Sequence, residues 1–512
     1  MLRSRAARVR VAAPTYLVGA ALAVAWLGLR LFYLEPPIPS DQIQYLQFAA
    51  DFPGPVDNQG APHRFLRYGI IAPTKAAMLL FGYSQATYYV VPLLTGMLLV
   101  CATYAVGCLL FSRSVGVAAA VLLACGTYVF DNGTELLPDL TAAGLCTAAV
   151  AVAAAVRQGR VARQRAALVV VGLLLGWSYL AREFIVFVWP LVPLLLYRRV
   201  GLRGLLWMAA PVAVLGLAES ALNWAAYGET LARLQAITGH GTFKLKEDAW
   251  WQGQSRTEYL AGLPDVLGGP AEGRWLLGLL GAALVGVAVR PRRAWIFAAW
   301  IALLWLPLTL LGGLVDPEVP TVNVHLVRYW YPIFPAILLG GLGAVWLLVR
   351  ALLGRLGAAL SAVLAALVVL AAAAVPSGIA ATEWAARPAY RANGATQLEQ
   401  VRTWMGRHGD GVGTVWTDPR TIHLLEVFRN GPFGGRVWAN ELRRLGENGS
   451  PRPGDVVVLY EVRRGGPCVY CGRALREVLG SPPRTPPTWR EAYASGDGIL
   501  EIYRVVGGNP AG

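Results

Sequence analysis

LTAAGLCTAAVAVAAAV at residues 140–156, followed without a break by RQGRVARQR at 157–165, decides the class of fold. The first stretch is an unbroken apolar run of the length a bilayer-crossing helix needs, roughly 17–25 residues. The second carries Arg157, Arg160, Arg163 and Arg165 and no acidic residue. A short loop of that composition is retained on the cytoplasmic side of a membrane.

The same alternation extends in both directions. Toward the N-terminus lie apolar runs at 115–130, 84–111 and 11–34, the last preceded by Arg3, Arg5, Arg8 and Arg10. Toward the C-terminus further runs are separated by Arg198, Arg199 and Arg203, by Arg290, Arg292 and Arg293, and by Arg350 and Arg355. Two short runs flank Arg182, and the last, Ala-rich run ends near Val375. Placing every arginine-only loop on one side gives about eleven spans, with the N-terminus cytoplasmic and the C-terminal region outside. The predicted class is a polytopic α-helical membrane protein, in keeping with 56% hydrophobic and 15% charged residues where soluble domains carry about 25% charged. The formal charge of +15 then reflects topology and not a nucleic-acid surface.

From residue 383 the composition turns polar. Strand-like runs at 412–417, 456–462 and 499–506 predict a small extracytoplasmic α/β domain over 383–512, following a membrane domain over 1–382. Cys101, Cys108, Cys125 and Cys146 lie in apolar runs as packing residues, whereas Cys468 and Cys471 are either a disulfide or a dithiol. Their spacing does not complete a four-ligand zinc site.

The ionisable residues of the membrane part collect on the side opposite the arginine-only loops. They include Asp41, His63, Arg64, Arg67, Asp131, Glu135, Asp139, Arg182, Glu183, His325 and Arg328. Lys75, Lys244 and Lys246 are the only lysines and fall in or beside the same loops, where topology gives no reason for a cation. Asp41 follows the first span directly, and Ser40 can cap a short helix through Tyr45 whose Ile43, Leu46 and Ala50 suit the membrane interface. Asp139, Arg182 and Glu183 abut apolar helices, where ionisable groups are costly unless paired or facing a polar cavity. No protease, esterase or nucleotide-binding motif is present.

Several short motifs, in this order, carry a resemblance. Asp41 with Tyr45 follows the first span; then come Arg67-Tyr68-Gly69, Leu80-Phe81-Gly82, Leu136-Leu137-Pro138-Asp139, Gly176-Trp177-Ser178-Tyr179-Leu180-Ala181-Arg182-Glu183 and Arg328-Tyr329-Trp330-Tyr331-Pro332. Together they resemble the GT-C superfamily of membrane glycosyltransferases, in the branch related to protein O-mannosyltransferases and the aminoarabinose transferases of lipid A. The resemblance implies transfer of a sugar from a polyprenyl-phosphate donor to an acceptor outside the cytoplasm, with inversion at the anomeric carbon. It implies Asp41 as general base, Asp139 as a second acidic residue of the site, and Arg67 near the donor phosphate. His63, Arg182, Glu183 and Arg328 are expected to line the same substrate site. Many relatives have two adjacent acidic residues where this chain has Asp41-Gln42, which counts against a two-carboxylate or metal-dependent version and leaves a divalent cation undecided. A transporter of lipid-linked sugars is the alternative; it requires ionisable groups near the membrane midplane and interrupted helices in repeated halves.

Overall fold

The computed structural model describes residues 2–55, 62–240, 253–289, 291–318, 320–386, 396–447, 449–463 and 465–507. Its first helix, α1 (Leu2–Phe32), is followed by three short ones, α2 (Asp41–Asp51), α3 (Pro62–Phe65) and α4 (Tyr68–Phe81). Next come α5 (Gln85–Leu110), α6 (Arg113–Cys125), α7 (Thr127–Asn132), α8 (Pro138–Arg157) and α9 (Gln164–Ala181). After a 3-10 turn at Glu183–Val188 follow α10 (Leu191–Tyr227), α11 (Ala232–His240), α12 (Arg256–Gly268), α13 (Gly273–Val289) and α14 (Pro291–Thr309). A second 3-10 turn, Val327–Ile333, leads into α15 (Phe334–Leu352), and α16 (Ala358–Ala386) completes the bundle.

Eight helices among the described residues are long and apolar enough to cross a bilayer, or nine if α12 and α13, bent by 119°, form one span. The eleven expected differ from this count in two places. α6 has only 13 residues. The other is α10, a single 37-residue stretch in that count but two helices that meet at Gly201 with φ 64°, on either side of which the sequence places two spans. Only glycine adopts such a backbone without strain, so the chain turns there.

α8, rich in alanine, is the innermost span, packed between α5 and α9. α1 and α10 lie outside and expose Leu17, Val24, Leu206, Val214 and Leu217, each more than half accessible. Apolar exposure on that scale marks a lipid-facing surface.

The C-terminal region forms a five-stranded sheet in the order β2-β1-β3-β5-β4, from β1 (Val415–Thr417), β2 (Leu442–Arg444), β3 (Val456–Tyr460), β4 (Trp489–Ala494) and β5 (Leu500–Val505). β1 pairs in parallel with β2 and β3, whereas β5 runs antiparallel to β3 and β4. Helices α17 (Thr396–His408), α18 (Thr421–Phe428) and α19 (Val469–Leu479) cover it. Cys468 and Cys471 are joined as a disulfide at the start of α19.

This domain does not hang from a tether. One apolar core runs from Leu398, Val401 and Phe428 through Tyr88 to Ile43, Tyr45 and Leu46 of α2. Ser84 donates to the Pro432 carbonyl at 2.8 Å, and Gln85 Nε2 donates to Glu399 at 2.9 Å.

Candidate active site

α2 sets the position of the leading carboxylate. Ser40 occupies the N-cap position with extended backbone but makes no side-chain cap bond, and Asp41 is the first helical residue. A carboxylate is favoured there by the helix dipole. The sequence predicts a helix lying in the membrane interface; instead Ile43, Tyr45 and Leu46 are at most 2% exposed, beneath the C-terminal domain, and only Ala50 remains open. Gln42 Oε1 fixes the helix by accepting from Tyr88 Oη and, at 3.1 Å, from the Ile38 N–H. Lys75 Nζ donates to the Ala50 carbonyl at 2.7 Å, which gives that lysine a capping role.

Five arginines and five carboxyl groups surround the site. Asp41 Oδ1 lies 3.1 Å from Arg64 Nη2, and Oδ2 lies 3.7 Å from Arg328 Nη1. At 17% exposure the Asp41 side chain stays reachable, while the groups behind it are buried. Arg67 donates to the Tyr45 hydroxyl and lies 3.7 Å from Glu183. Burial, offset in part by Arg67, pushes the Tyr45 hydroxyl up to about 12, so it stays protonated. Burial also pushes the Glu135 carboxyl up to about 7, although Gln42 and Arg328 oppose the shift.

Arg182 Nε lies 3.0 Å from Asp139 Oδ1, and Arg182 Nη1 lies 3.9 Å from Glu183. The Arg182 guanidinium also sits 5.1 Å from the Phe184 ring and 5.0 Å from the Tyr329 ring. Arg233 pairs with Glu219, reaches Glu183 at 4.0 Å and donates to the Leu66 and Leu180 carbonyls. Glu183 therefore joins three guanidiniums that come from different segments.

These groups converge because α4 and α9 meet closely. A Cβ on Gly69 would lie 2.2 Å from the Ala181 nitrogen, so only glycine lets the start of α4 approach the end of α9. Trp177 Nε1 donates to the Gly69 carbonyl at 3.0 Å across the same contact.

The charges are paired, but the hydrogen-bonding capacity is not used up. The Nε groups of Arg64, Arg67, Arg182 and Arg328 are buried and make no hydrogen bond among the described residues, nor does either Asp139 oxygen. Asp139 and Arg182 are thus an ion pair without hydrogen-bond geometry. Buried donors left unmade are costly. An anion with several oxygens, such as a phosphate, would satisfy them.

Of the residues named from sequence, Asp41, Arg67, Asp139, Arg182, Glu183 and Arg328 come together here. The His63 side chain lies outside the described residues, as do Lys244, Lys246 and Asp248. His325 faces Gln254 at 2.8 Å. Arg64, Arg233 and Glu219 belong to the cluster and were missed as site residues. Glu219, an acid inside an apolar run, was the available signal, since such a group demands a cation. Among the described residues no group of three His, Cys, Asp or Glu side chains could hold a metal ion.

No family model matches the chain, and no curated protein matches it in sequence. Its structure is similar to that of ArnT from Cupriavidus metallidurans. Against the apo state the TM-score is 0.51 at 13% identity, covering 96% of this chain and 98% of that one. Against ArnT bound to undecaprenyl phosphate it is 0.54 at 13% identity, covering 97% and 99%. The chain has the GT-C fold, as the sequence motifs implied.

Proposed function

We propose that this chain is an inverting glycosyltransferase that moves a hexosyl or pentosyl group from a polyprenyl-phosphate donor to an acceptor on the extracytoplasmic side of the membrane. The observation that carries this reading is the reachable Asp41 carboxylate held between Arg64 and Arg328, in front of guanidiniums with unused buried donors. The likeness in fold to a protein solved with undecaprenyl phosphate supports the choice of donor.

The acceptor hydroxyl or amine attacks the anomeric carbon from the face opposite the phosphate, and its proton passes to Asp41. The bond from the anomeric carbon to the phosphate oxygen breaks, and the polyprenyl phosphate departs with added negative charge. Arg67, Arg182 and Arg328 meet that charge. Phosphate leaves without protonation, so one base suffices where glycoside hydrolysis uses two carboxyl groups. The arriving donor phosphate competes for Arg64 and Arg328, which loosens their hold on Asp41. Donor binding and release of the base are then one event.

The arginine-only loops support placing this site outside the cytoplasm. The C-terminal domain, packed on α2, is suited to present the acceptor beside Asp41.

The test uses purified full-length protein in detergent, radiolabelled polyprenyl-phosphate sugars and envelope extract as acceptor. Wild type should form labelled product, and Asp41→Asn should lower the rate by about 10²–10⁴-fold while folding normally. Near-normal transfer by the variant removes Asp41 from the mechanism. Donor carried across vesicles by both proteins with no new glycosidic bond would replace the enzyme with a transporter.

A further inference from the structure

At the end of the bundle away from Asp41, a cleft of about 810 Å³ opens between α8, α10 and α14. Arg157, Arg198 and Arg199 line it together with Pro193, Leu194 and Trp295. Arg157 closes the C-terminus of α8, whose N-terminal turn holds Asp139. The 18 helical steps from one to the other separate the two sites by roughly 27 Å at the helical rise. Arg198 and Arg199 directly precede the turn of α10 at Gly201.

Two properties set this cleft apart from a solvated loop face. First, Arg157, Arg198 and Arg199 form no ion pair with a carboxylate among the described residues, and Glu183, at the other end, is the only acid between 157 and 203. Cations at helix C-termini are favoured by the dipole, but that needs neither three of them nor a cavity. Second, apolar side chains stand open beside them: Leu194 is 58% and Tyr197 60% exposed. A free anion would use the guanidiniums and leave the apolar wall bare.

We propose that this cleft binds the headgroup of an anionic phospholipid, with the phosphodiester on Arg157, Arg198 and Arg199 and an acyl chain along Pro193 and Leu194. Charge complementarity and the apolar wall both select an amphiphile, and the volume falls within the range of small-molecule sites. Basic residues near a membrane surface attract anionic lipid by an amount that corresponds to about a fivefold change in affinity per arginine.

The experiment measures phosphatidylglycerol and phosphatidylcholine retained by the full-length protein in native mass spectrometry. Each of Arg157→Gln, Arg198→Gln and Arg199→Gln should weaken phosphatidylglycerol about fivefold and leave phosphatidylcholine unchanged. Replacing Arg160, Arg163 and Arg165 by Gln, the same kind of charge loss outside the cleft, should have less effect than any one of these. Equal effects from both sets would reduce the finding to diffuse surface charge and overturn the proposal. Displacement of the lipid by millimolar inorganic phosphate would also overturn it, because the apolar wall would then contribute nothing. A photoreactive-acyl phosphatidylglycerol on wild type, independent of any variant's folding, should crosslink within residues 190–205 and near Trp295. Crosslinks confined to other helices refute the site.

Discussion

The Asp139–Arg182 pair gives a quantitative test of whether the site is held by buried charge. Asp139 is 1% exposed, Arg182 is 6% exposed at the side chain, and the oxygen and nitrogen are 3.0 Å apart. At an effective dielectric of 20 the Coulomb term at that distance is about 5 kcal/mol, before the cost of desolvation. Removing one partner of a buried pair costs about 3–5 kcal/mol in measured cases. Asp139→Asn keeps the side-chain volume and strands Arg182, but Glu183 at 3.9 Å and the rings of Phe184 and Tyr329 remain beside the guanidinium. Those partners reduce the expected loss to roughly 2–3 kcal/mol.

Arg182→Gln should cost a similar amount because it strands Asp139. The double variant should cost clearly less than the sum, leaving a coupling energy of about 2 kcal/mol. The assay is denaturant titration in mixed micelles followed by tryptophan fluorescence, with all four proteins at one detergent concentration. A coupling energy below about 0.5 kcal/mol, the scatter expected of independent sites, would refute the idea that this contact is a structural ion pair.

Other consequences follow from single contacts. Gly69→Ala places a Cβ 2.2 Å from the Ala181 nitrogen, so α4 must move away from α9 and carry Arg67 with it. Transfer should fall about 10–100-fold in kcat/KM without loss of folded protein, and an unchanged rate would show that the approach of these helices does not set the site. Gly82 has φ 66°, and a Cβ there would meet Gly434 Cα at 2.6 Å; Gly82→Ala should loosen the C-terminal domain and speed hydrogen exchange in α17, whereas wild-type exchange would argue against that contact as the anchor. Glu461 is 3% exposed, accepts from the Cys468 N–H at 2.5 Å, and is pushed by burial up to about 7. Its folded pKa lies above the ordinary value of about 4.5, so the stability it gives is complete below pH 4.5 and is lost as pH rises through 7. The C-terminal domain should lose stability between pH 5 and 8, of the order of 3 kcal/mol, and Glu461→Gln should flatten that profile; an identical profile in the variant would refute the assignment.

The bundle was legible because apolar length and arginine placement are direct consequences of bilayer physics, and the charged cluster of the candidate site was legible wherever an ionisable residue touched an apolar run. Asp139, Arg182 and Glu183 stood out for that reason. Arg64 did not, because Arg67 lies three residues away in the same polar loop, and composition does not say which guanidinium faces Asp41. Arg233 lies on α11, in a stretch between α10 and α13 without a long apolar run beside which a cation would stand out. The strands found from sequence, β1, β3 and β5, are the interior ones; β1 and β3 are buried throughout, and β5 keeps Leu500, Ile502 and Val505 buried between more polar positions. Those missed, β2 and β4, are the two sheet edges; β2 has three residues and β4 is mostly exposed, so neither carries a periodic apolar signal.

The core shared by the C-terminal domain and α2 limits how such proteins can be recombined. Severing the chain near residue 390 and grafting a foreign domain would leave Ile43, Tyr45 and Leu46 without their covering layer, in the helix that carries Asp41. A chimera that exchanges the domain therefore has to exchange α2 and the segment around Ser84 and Gln85 together with it. The unit of exchange is defined by the packing, and it begins some 350 residues before the cut that composition suggests.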